Sequence, residues 1–131
     1  MLAVVALVGV AGCDGEKAEA EPAKATAPTP QVPTVAAAKA AFDEYFNSFT
    51  IRGCPEDCTA DLQKIISLTH DLRKAMNADK AGATFWSGAY VHMNAIDRGA
   101  TTAGQALDQF RPLILGPAHD LQRWMTAHPA Q

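Results

Sequence analysis

Hydrophobic and polar positions divide the chain into three stretches of different texture. Residues 2–12, "LAVVALVGVAG", are apolar without interruption. Residues 14–34, "DGEKAEAEPAKATAPTPQVPT", mix charge, alanine and proline, and Val32 is their only large apolar side chain. From residue 35 onward apolar side chains return every three or four positions. That is the period of a helix with one buried face. The pattern predicts an all-α domain over residues 35–131, preceded by an apolar segment and a linker.

Four helices are expected in that domain. The first follows Thr34 as N-cap and runs to about Phe49, with Ala38, Phe42, Phe46 and Phe49 on one face and "TIRG" as its stop. In "CPEDC", Pro55, Glu56 and Asp57 suit the first three positions of a second helix, where a missing N–H and negative charge are both favourable. Cys58, Leu62, Ile65, Ile66, Thr69, Leu72 and Met76 then continue one face. A third helix is expected from after Asp79 to Gly99, with Phe85, Ala89, His92, Met93 and Ile96 inward and Trp86 and Tyr90 beside them. The fourth opens at the capping box "TAGQ", Thr102 to Gln105, and presents Leu107, Phe110, Leu113, Ile114, Leu121, Trp124 and Met125. Pro112 and Pro117 each remove a helical hydrogen bond, so a kink or split is expected, most naturally at Gly116–Pro117. An up-down four-helix bundle with a kinked or split last helix is the simplest packing of these segments.

Charge changes little in this picture. The 131 residues carry a formal net charge of −3, too mild to imply a polyphosphate partner. Residues 35–131 hold nine Lys/Arg against ten Asp/Glu, with no basic patch, so nucleic acid is not an expected ligand. The excess acid, Asp14, Glu16, Glu19 and Glu21, sits just after Cys13.

Eleven apolar residues are too few to span a hydrocarbon core, which takes about twenty in a helix. They suit the hydrophobic region of a signal peptide, about 7–15 residues ending in small side chains. Those small residues are Ala11 and Gly12, directly before Cys13, and "VAGC", Val10 to Cys13, resembles the lipobox of bacterial lipoproteins. The resemblance covers residues 1–13 and implies a signal peptide over 1–12, a diacylglycerol on the Cys13 thiol, and cleavage before Cys13. It also implies a membrane anchor facing the periplasm or cell exterior. Leu2 stands where a signal peptide usually opens with Lys or Arg, which leads us to expect a start codon upstream of Met1. Asp14 resembles the inner-membrane retention signal of enteric lipoproteins. Residues 13–34 would then be a lipidated cysteine and a disordered Ala/Pro-rich tether. Fully extended, the 21 residues after Cys13 reach roughly 60 Å at the polyproline rise of about 3.1 Å each.

With Cys13 lipidated, Cys54 and Cys58 remain, and an oxidising compartment favours a disulfide between them. Closing so short a ring restricts the unfolded chain little. A thioredoxin-type redox site takes two intervening residues where this chain has three. A zinc site needs two further ligands, and no partner motif follows in the sequence. Redox use of Cys54 and Cys58 stays open as an alternative.

No two of His70, His92, His119 and His128 are spaced i, i+4, so no helix offers a two-histidine clamp. His92 and Met93 form the most suggestive metal pair, since imidazole and thioether together suit copper or haem iron, with Met76 and Met125 as possible inward neighbours. The plainer reading puts the methionines in the core. His70–Asp71 and His119–Asp120 are adjacent on a helix and so point about 100° apart, which makes neither a catalytic dyad. Ser67, one turn before His70, lacks an oxyanion-forming turn. Trp86, Tyr90 and Trp124 are candidates for a binding surface between the last two helices. The expectation is a lipid-anchored envelope protein that binds or scaffolds, with no catalysis and no cofactor beyond the acyl lipid. Its partners would be the membrane and another envelope protein. A small-ligand, copper or haem carrier and a thiol redox protein are the alternatives.

Overall fold

Thr34 starts the first helix as expected: its Oγ1 accepts the Ala37 N–H at 3.1 Å. The computed structural model describes residues 31–131, and Val32–Gln131 form one compact unit. The expected signal segment, Cys13 and most of the tether lie outside the described residues. Four α-helices make up a helical bundle: α1, Val35–Arg52; α2, Thr59–Ala78; α3, Gly82–Ala103; and α4, Arg111–Ala127. One 3-10 turn, Leu107–Phe110, leads into α4. Among the described residues no helix is long and apolar enough to cross a membrane.

Glycine geometry sets two of the helix ends, and both lie beyond their expected places. α1 continues one turn past Phe49 because Thr50 and Ile51 cost a helix only tenths of a kcal/mol (about 0.5 each). Gly53, at φ +71°, stops it and donates its N–H to the Phe49 carbonyl at 2.7 Å. α3 likewise runs through Gly99 and ends at Gly104, φ +55°, whose N–H bonds the Ala100 carbonyl at 3.0 Å. Thr102 is therefore inside α3, and the expected capping box does not form. At the other end of α3, the Asp79 carboxylate accepts the Ala81 N–H at 3.1 Å and the Trp86 indole N–H at 2.9 Å.

The start of α2 is also corrected. Pro55, Glu56 and Asp57 form a loop, and the first helical bond runs from Leu62 N–H to Cys58 O at 2.9 Å. A helix beginning at Pro55 would pair the Cys58 N–H with the Cys54 carbonyl. Here Asp108 takes that N–H at 2.7 Å and Arg111 takes that carbonyl at 3.2 Å.

Pro117 lies inside α4, which runs unbroken to Ala127, so the expected split at Gly116–Pro117 is absent. Gly116 removes the Cβ that would clash with the following proline ring in a helical conformation. Pro112 sits in the first turn, where its fixed φ suits the start of a helix. Pro117 leaves the Leu113 carbonyl without its usual donor, and α3 meets that carbonyl at Gly99, where an added Cβ would overlap it. An added Cβ at Gly88 would overlap the Trp124 indole. Two glycines three turns apart thus let α3 and α4 lie close.

The core is drawn from every helix. Phe42 and Phe46 of α1 stack at 5.5 Å between ring centroids. Leu62, Ile65, Leu72 and Met76 of α2, Trp86, Met93 and Ile96 of α3, and Ile114, Leu121 and Met125 of α4 are fully buried. On α2, Leu68 and Ala75 join the buried face and Ile66 is half-buried. Phe110 and Leu113, expected inside, are 39% and 41% exposed. With α4 starting at Arg111, the 114–118–121–125 stripe faces inward and Leu113 falls about 100° away.

Gly99→Ala is expected to lower unfolding free energy by about 1–3 kcal/mol, the usual cost of overpacking. An ordinary helical glycine would instead gain about 0.5–1 kcal/mol from the same change. Urea unfolding distinguishes the two signs.

Candidate functional site

The α1–α2 loop concentrates more unusual chemistry than any other segment described. Cys54 and Cys58 lie at disulfide distance with Cα atoms 5.8 Å apart, Cys54 half-buried and Cys58 fully buried. Two residues some fifty positions away fasten the loop. Arg111 donates from Nη1 to the Cys54 carbonyl at 3.2 Å and from Nη2 to the Glu56 carbonyl at 2.6 Å. The same side chain bonds the Asp108 carbonyl through Nε at 3.0 Å and the Asp108 carboxylate at 2.7 Å. The proline at position 112 supplies no N–H to that Asp108 carbonyl, so the guanidinium replaces it. Asp108 Oδ1 in turn accepts the Cys58 N–H, a cap that the Cys58 side chain does not supply itself.

A second group ties the loop's other shoulder. Asp61, in the first turn of α2, accepts from Arg52 Nη2 at 2.9 Å and from the Tyr45 hydroxyl. The Arg52 guanidinium first, and the Tyr45 hydroxyl second, hold the Asp61 carboxyl below its ordinary value. The hydrogen bond to Asp61, then burial, push the Tyr45 hydroxyl up. Inside the loop, Asp57 accepts from both the hydroxyl and the N–H of Thr59, which lower its carboxyl.

The sulfurs of Cys54 and Cys58 and a carboxylate oxygen of Asp108 all lie within 4.8 Å of one another. Among the described residues this is the group of His, Cys, Asp or Glu side chains placed to share an ion. The sequence offered no signal for Asp108 or Arg111, because both fall in a stretch read as an ordinary helix face.

The remaining candidates are dispersed. Met93 is fully buried in the core with Met76 and Met125, while His92 next to it is half-buried. His70 turns from Asp71 to Asp97 of α3, Nε2 to Oδ1 at 2.9 Å, and Asp97 also pairs with Arg73 at 3.0 Å. That cross-helix group was missed because its members are 24 to 27 positions apart. His119 is exposed beside the Phe46 ring, and Asp120 pairs with Arg123 at 2.7 Å. Ser67 is exposed.

Of the three aromatics proposed as a surface, Trp86 is corrected to core: its ring is buried and its N–H is held by Asp79. Tyr90 is half-buried, donating to Asn77 Oδ1 at 2.8 Å beneath the Arg73 guanidinium. Trp124 is half-buried, 6.1 Å from Trp86 and stacked on His128 at 4.0 Å. A shallow groove between α1 and α4 is bridged by Gln122, which donates to Asp43 at 3.1 Å and to Asn47 at 3.0 Å. Comparison with protein-family models, curated proteins and solved structures finds no match to this chain.

Because its carboxyl value is depressed on folding, Asp61 contributes stability above the ordinary aspartate range and loses it as pH falls through the depressed value. The stability gap between wild type and Asp61→Asn should therefore be fully open near neutral pH and close as pH drops below about 4. Urea midpoints across pH measure the gap, and widening on acidification contradicts the assignment.

Proposed function

We propose that this chain is a lipid-anchored, extracytoplasmic lipoprotein whose helical domain binds or scaffolds at the bacterial envelope without catalysis. The observation that carries the proposal is "VAGC" at the end of an uncharged eleven-residue run, followed at once by a proline- and charge-rich stretch. In this reading Cys13 bears the acyl chains, residues 14–34 are the tether, and an up-down bundle is held clear of the lipid headgroups. Burying acyl chain contributes about 0.8 kcal/mol per CH₂, so two or more chains hold firmly without a spanning helix.

Binding is favoured over catalysis by how the polar side chains are used. His70, Asp97, Arg73, Asp108, Arg111 and Asp61 are each engaged by another residue of the domain. Val91 of α3, Phe110 of the 3-10 turn and Leu113 of α4 leave apolar area exposed, where a partner of the envelope would find contact. A thiol-exchange reading rests on a different observation, the half-buried position of Cys54 beside fully buried Cys58. It predicts a bridge that mild reductants open readily.

The intact mass of the protein extracted from membranes of a producing bacterium tests the anchor. A mass of residues 13–131 plus acyl chains is expected. An unmodified chain, or one retaining residues 1–12, overturns the proposal.

A further inference from the structure

We infer that the α1–α2 loop is a redox-gated cation site: when the Cys54–Cys58 pair is reduced, its two thiolates and the Asp108 carboxylate take a thiophilic divalent ion of the zinc class. The sequence supplies two ligands at C-x-x-x-C spacing, within the range used by zinc sites, and leaves the others unassigned. The fold brings the third from the turn before α4, with all three ligand atoms within 4.8 Å of one another. Asp108 is already oriented as metal carboxylates are. Its Oδ1 is fixed by the Cys58 N–H and by Arg111, each at 2.7 Å.

Charge supports the same assignment. A divalent ion with two thiolates and one carboxylate carries one net negative charge. The Arg111 guanidinium, bonded to the carboxylate and to the Cys54 and Glu56 carbonyls, offsets it. Cys58 is buried while Cys54 is half-buried, so one side of the ion stays open for water as a fourth ligand. Arg111 and Asp108 hold the loop through contacts that do not involve sulfur, so the ligands remain gathered once the bridge opens.

Disulfide and ion exclude each other. A dithiol reductant delivers two electrons and two protons, breaking the S–S bond and leaving two thiols while the reductant becomes a disulfide. Ion binding then forms two metal–sulfur bonds and releases both thiol protons.

The test uses the full-length protein, reduced by a phosphine under argon, with cobalt(II) as the probe. Expected are one equivalent bound, sulfur-to-cobalt charge transfer and tetrahedral cobalt bands in the reduced protein, and none in the oxidised protein. Asp108→Asn keeps an acceptor for the Cys58 N–H, so its fold is retained, and should weaken binding by about tenfold or more. Cys13→Ser should bind as wild type does. The inference is overturned if reduced protein shows no charge transfer, if Asp108→Asn binds as tightly as wild type, or if Cys13→Ser abolishes the signal. None of these outcomes bears on the lipid anchor, which the mass at residue 13 reads separately.

Discussion

A helix that followed Cys54 directly would spend the Cys54 carbonyl and the Cys58 N–H on each other. In this protein Arg111 takes the carbonyl and Asp108 takes the N–H. α2 therefore begins at Thr59, and six residues, 53–58, are left as a loop pressed against the start of α4. Hydrogen bonds to charged groups contribute about 1.5–3 kcal/mol each when protected, and less where a third of the side chain is exposed, as for Arg111. A disulfide across three intervening residues restricts the unfolded chain far less than one closing a long loop. The clasp, more than the crosslink, gives this loop its shape.

The same clasp explains why α4 tolerates Pro112, and Gly99 of α3 does the like for Pro117. Pro112 withholds a donor from the Asp108 carbonyl, and Arg111 Nε supplies one. Pro117 withholds a donor from the Leu113 carbonyl, and that carbonyl meets the side-chain-free Gly99 of α3. Gly88 performs the same service for Trp124 a few turns away. α4 is thus a continuous helix whose irregularities are absorbed by residues of other elements, and its register places Ile114, Ala118, Leu121 and Met125 in the core.

Local signals in the sequence decide the structure where the competing force is local too. The Thr34 cap, the apolar stripe of α1 and most of the inner face of α2 follow from periodicity and side-chain chemistry alone. The errors share one cause. Gly99 has the local chemistry of a helix stop, but a glycine in a helix serves equally as a point of close approach, and only the position of α4 decides between them. Pro55–Asp57 read as a helix start until side chains fifty positions away claimed the backbone groups involved. Trp86 and Trp124 read alike as candidate surface aromatics, yet Asp79 accepts the Trp86 N–H inside the core while Trp124 stays at the edge. Asp108 and Arg111 carry no local signature at all, because their role is defined wholly by what they reach.

If the clasp rather than the crosslink holds the loop, its backbone should be indifferent to the state of the sulfurs. Hydrogen exchange at the Cys58 amide, followed in oxidised and in fully reduced protein, tests this directly. The account predicts that the amide stays slow to exchange after reduction, still donating to Asp108. Exchange at the rate of an open loop once the bridge is broken would contradict it.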